Sequence, residues 1–165
     1  MVKHPKIGSV SHGTMRSVDL LSTFADVLED YIKANADDVL DALQTVLDDA
    51  RALQAVLGDG DDFDEDAANP DTLDAMVEEL FDALDGIAPP YCTFGAHEGD
   101  GADYGFWPCL ESLEEAAYEG DDVIKVEDMS QVPASWRGYV MQVSDHGNVT
   151  LLEPVVTHRE VWSVV

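Results

Sequence analysis

The sequence is poor in positive charge. Its 165 residues hold only eight lysines and arginines against 35 aspartates and glutamates, a net charge of −27. Direct binding to nucleic acid or to an anionic membrane is thereby excluded, because both would repel the chain. Cysteine is scarce too. Cys92 and Cys109 are the whole complement, too few for a disulfide framework or a four-cysteine zinc site. Long apolar runs are missing, and none approaches the roughly 20 residues of a membrane span. The start of the chain has Lys3, His4 and Lys6 but no apolar stretch behind them. That is not the pattern of a secretory signal, and a cytoplasmic protein is expected.

What is present is enough for a core. The apolar fraction is 45%, well above that of a disordered acidic tail. The length suits one domain that folds without metal or disulfides. Residues 1–16 read as an irregular arm, broken by Pro5, Gly8 and Gly13. Apolar positions then recur at three and four, which predicts helices over 17–34, 37–57 and 69–86. The third has the clearest start, with Asn69 as cap and Pro70 in the first position. From residue 87 the pattern turns to short aromatic and β-branched runs. Tyr91–Phe94 and Tyr104–Trp107 flank Gly99-Asp100-Gly101. Tyr139–Val143 and Val149–Leu152 flank Asp145–Asn148, and both centres read as hairpin turns. A short helix over 109–119, a strand over 123–126 and a last strand over 160–165 complete the reading. A single α+β domain over 17–165 follows, its acidic helical half (17–86) packed on one face of an antiparallel sheet in the second half (87–165).

The charge is concentrated in the helices. Between Asp19 and Asp85 there are 21 acids and two bases, Lys33 and Arg51. On the third helix Asp71, Asp74, Glu78, Asp82 and Asp85 are spaced by three or four, so they form one stripe opposite the apolar face. Successive carboxylates lie roughly 5–6 Å apart, close to the phosphate spacing of a nucleic-acid strand. No lysine relieves them, and like charges at this spacing cost helix stability. The preceding loop adds Asp61, Asp62, Asp64, Glu65 and Asp66. Together these ten carboxylates are the candidate partner-binding surface. The expected partner is the basic surface of a nucleic-acid-binding protein, with the acidic face acting as a DNA mimic. The plain alternative is a solvated face whose acidity serves solubility or salt adaptation in an accessory structural or adaptor protein.

No motif for chemistry is complete. An EF-hand needs acids at loop positions 1, 3 and 5, glycine at 6 and glutamate at 12. Starting at Asp62 puts Ala67 and Leu73 at the last two positions, and starting at Asp59 puts Phe63 at the fifth. Cys92, His97, Asp103 and Cys109 lack the spacing of a zinc site. Ser144-Asp145-His146 are sequence neighbours, which alternate faces and cannot form a triad. No phosphate loop follows a strand. Catalytic residues, cofactor and resident metal are therefore not expected. If the first hairpin turns between Asp100 and Gly101, Cys92 and Cys109 fall opposite one another.

Three segments resemble a group of uncharacterised small proteins of bacteriophages and other mobile elements. They are Gly13-Thr14-Met15-Arg16-Ser17-Val18-Asp19-Leu20, the run from Phe94 through His97-Glu98-Gly99-Asp100 to Trp107, and Asp145–Leu151 with the closing Glu160–Val165. The resemblance implies a setting rather than an activity. In that setting, acidic DNA mimics that block restriction or CRISPR enzymes are expected.

Overall fold

A computed structural model describes residues 2–36, 41–58, 63–120 and 122–153. The strand expected over 160–165 and the acids Asp61 and Asp62 lie outside the described residues. The chain divides into two compact units, Met1–Pro108 and Cys109–Val165.

Unit 1 contains β1 (Gly8–His12), α1 (Ser17–Ala34), α2 (Asp41–Leu57), α3 (Pro70–Gly86), β2 (Cys92–His97) and β3 (Asp100–Pro108). The class is α+β, as the run of helical periods followed by strand periods implies. The residues at 8–12 are a strand and not part of an irregular arm. β1 pairs antiparallel with β3, Gly8 opposite Phe106 and His12 opposite Asp103. Two glycines permit this, one of them the expected breaker Gly8. Gly8 has φ 123°, and Gly105 lies so close to β1 that a Cβ there would stand 2.2 Å from the Gly8 carbonyl oxygen.

The sheet of unit 1 has the order β1-β3-β2, all antiparallel. Leu21, Phe24, Ala25 and Leu28 of α1 are fully buried, as are Leu80 and Leu84 of α3 and Phe106 of β3. The Phe24 ring sits edge-on to Phe94 at 5.0 Å and to Tyr104 at 5.7 Å, and Phe94 meets Phe106 at 5.0 Å. These aromatic contacts lock the helical layer to the sheet.

The ends of α3 are set locally. The Asn69 Oδ1 accepts the Asp71 backbone N–H at 2.8 Å, so the expected cap is in place. After the helix, Cys92 donates its N–H to the Pro89 carbonyl at 3.0 Å. Pro90 and a left-handed Tyr91 (φ 61°) make this turn. A non-glycine residue there costs about 1–3 kcal/mol, which the packed elements on either side must hold in place.

The first hairpin turns at Glu98-Gly99, not at Asp100-Gly101. His97 pairs with Asp100, whereas Ala96 pairs with Tyr104, so β3 carries extra residues in a bulge. The His97 Nδ1 accepts the Gly99 N–H at 3.1 Å and closes the tighter turn. The corrected register sets Cys92 opposite Pro108, so the alignment of the two cysteines across the hairpin does not arise.

Unit 2 contains α4 (Leu110–Glu119), β4 (Val123–Val126), β5 (Tyr139–Val143) and β6 (Val149–Leu152). The strands of the second half thus do not join one antiparallel sheet. This second sheet has the order β4-β5-β6, and β4 with β5 is parallel. A parallel pair needs a crossover, here residues 127–138 with a 3-10 turn at Met129–Gln131. Among the described residues of unit 2, Leu113, Val123 and Met141 are fully buried. The expected hairpin at Asp145–Asn148 is present, with Gly147 at φ 81° and its N–H donated to the Ser144 carbonyl.

Candidate acidic interaction surface

The stripe on α3 forms as its spacing requires. Asp71, Asp74, Glu78, Asp82 and Asp85 are all exposed, while Leu73, Met76, Leu80 and Leu84 turn inward. Between Asp64 and Asp85 there are nine acids and no base. The surface is not uniform, however. Asp74 Oδ1 accepts the Ser17 hydroxyl at 2.5 Å, tying α3 to the start of α1. Asp85 Oδ1 accepts the Phe94 backbone N–H at 2.8 Å, so it anchors β2. In the loop, Glu65 is ion-paired with Arg16 at 2.5 Å. Asp64 caps the 3-10 turn at Glu65–Ala67 through the Asp66 N–H.

Four of the candidate carboxylates therefore have structural partners. Asp66, Asp71, Glu78 and Asp82 have no cationic partner among the described residues. Spacing along the sequence reveals the stripe but not the tethers, because Ser17, Arg16 and the Phe94 N–H belong to other elements of the chain.

The cations of the helices are spent elsewhere. Arg51 holds Asp26 at 2.8 Å and also Glu29, and Lys33 holds Glu29 at 2.5 Å. The Lys33 hydrogen bond first, then that of Arg51, draws the Glu29 carboxyl below its ordinary value of 4.5. A lowered folded-state value stabilises the fold above the ordinary value, and this contribution is lost as pH falls through the lowered one. Glu29→Gln is therefore expected to narrow its stability gap to the parent chain on acidification. The gap should be widest above the ordinary value of 4.5 and shrink as pH falls below it. Thermal melts of both chains across that window check this, and a constant gap would refute it.

The other sequence motifs do not assemble a catalytic or metal constellation among the described residues. The Asp103 carboxylate accepts the Ser9 hydroxyl at 2.5 Å and makes no hydrogen bond to His97, which lies edge-on to Trp107 at 4.8 Å. His146 is an exposed turn residue. Among the described residues no three histidine, cysteine or acidic side chains gather as a metal site. No described helix is long and apolar enough to cross a membrane. No protein-family model matches the chain, and no curated protein or solved structure is detectably similar to it.

Proposed function

We propose that this is a non-enzymatic interaction protein whose α3 face docks on the basic, nucleic-acid-binding surface of another protein. The observation that carries this reading is the exposed row Asp71, Glu78 and Asp82, aligned on one helix with no cation beside it among the described residues. Leaving like charges at helical spacing unrelieved costs about 0.2–0.5 kcal/mol per pair. A partner that supplies lysines and arginines recovers that cost. Such an association is fast and weakens with salt. In the mobile-element setting that the sequence resembles, the target is a host defence nuclease of the restriction or CRISPR type, met in the host cytoplasm.

The competing reading is an adaptor that is acidic for solubility. It is favoured by the acids of the second unit. Eleven aspartates and glutamates follow Cys109, against the three bases Lys125, Arg137 and Arg159. Acidity is therefore not confined to the helical face.

One experiment separates the two readings. The tagged chain captures partners from host lysate at low and at high salt, beside a variant carrying Asp71→Asn, Glu78→Gln and Asp82→Asn. Asp74 and Asp85 are left alone because they hold Ser17 and Phe94. If each lost contact is worth about 1 kcal/mol, the variant binds roughly 100-fold more weakly. Salt or duplex DNA should release the same nucleic-acid-binding partner from the parent chain. Equal binding by the variant, or a partner indifferent to salt, would sink the mimic and favour the adaptor.

A further inference from the structure

A solvent-open cavity of about 520 Å³ is bordered by the N-terminal segment of unit 1. Val10, Val27, Tyr31 and Phe106 line it, and Lys3 and Lys6 stand among the residues that border it. Its size falls within the usual range for small-molecule sites, about 300–1,000 Å³.

The segment that borders it is held in place. The Lys3 backbone N–H donates to Asn35 Oδ1 at 2.7 Å, and Asn35 Nδ2 donates to the Lys3 carbonyl at 3.0 Å. Asn35 is itself buried, with 7% exposure, and its Nδ2 also donates to the Tyr31 carbonyl. The segment is therefore clamped to the end of α1 by a two-way amide bridge.

The charge at this cavity is unusual for the chain. Arg16, Lys33, Arg51 and Lys125 each hold a carboxylate. Lys3 and Lys6 hold none among the described residues, although the chain has 35 acids to offer. Asp30 also borders the cavity, and two lysines to one aspartate leave it net positive. At physiological salt the Debye length is about 8 Å. Carboxylates beyond that range are largely screened, whereas Lys3 and Lys6 border the cavity itself.

We propose that this cavity binds a small amphiphilic anion: an apolar, ring-sized body carrying one carboxylate. The body would rest on Val10, Val27 and Tyr31, which are part-exposed, and the carboxylate would meet Lys3 and Lys6. This inference is independent of the acidic face of α3.

The test uses the full chain, 1-naphthoate as the probe and 1-naphthamide as its uncharged counterpart. Calorimetry gives affinities, and NMR locates the shifted resonances. The expected result is saturable naphthoate binding with shifts at Val10, Val27 and Tyr31. The amide and a Lys3→Ala/Lys6→Ala variant should each bind at least about tenfold more weakly. Circular dichroism checks that the variant is folded. Should the variant fail to fold, the comparison of acid with amide on the parent chain decides alone. No binding at millimolar naphthoate, equal binding of the amide, or shifts confined to other surfaces would overturn the proposal.

Discussion

Replacing Phe24 by alanine is expected to cost unit 1 about 3–5 kcal/mol. The side chain is fully buried, and its ring touches both Phe94 and Tyr104. Its removal takes away apolar burial and two edge-on aromatic contacts, and it leaves a hole between helix and sheet. The rigid neighbours on both sides limit collapse into that hole, which is what makes such losses large. Domains have only about 5–15 kcal/mol to lose, so a large part of the total is at stake. Urea denaturation followed by circular dichroism measures the change. A loss below about 1 kcal/mol would mean that the helical layer does not depend on this contact.

Gly105→Ala is the second large effect, with an expected cost of about 1–3 kcal/mol or more. The added Cβ would stand 2.2 Å from the Gly8 oxygen and 2.9 Å from the Ser9 Cα. Both are backbone atoms, so no side-chain rotation relieves the clash. Relief requires β1 to move off β3, which breaks the pairing of Ser9 with Gly105. Amide exchange at the β1–β3 ladder is expected to accelerate more than exchange within α3. Unchanged protection of that ladder would show that the close approach is not required.

The helices are legible in the sequence because their signals are local. Asn69, Pro70 and the spacing from Leu73 to Leu84 define α3 without reference to the rest of the chain. The sheets are less legible because strand pairing is non-local. The breakers around β1 hide a strand that only its partner Gly105 explains. The bulge in β3 moves the hairpin turn, and nothing in Gly99-Asp100-Gly101 announces that shift. The parallel pair β4–β5 has a crossover without an α-helix, so the usual strand–helix–strand period is absent. On the candidate surface, exposure follows from spacing alone. The division between tethered acids (Asp74, Asp85, Glu65) and those with no cation beside them needs the folded chain.

The pairing of β1 with β3 has a consequence for how unit 1 assembles. Ser9 and Asp103, joined across that ladder, are 94 residues apart. Closing so long a loop is entropically costly, and non-local pairing slows folding. During synthesis α1, α2 and α3 emerge before β3 exists. Until it does, Phe24 has no Tyr104 to cover it, and β1 has no partner. The growing chain must carry that apolar face uncovered, and its strong like charge then works in its favour by keeping neighbouring unfinished chains apart.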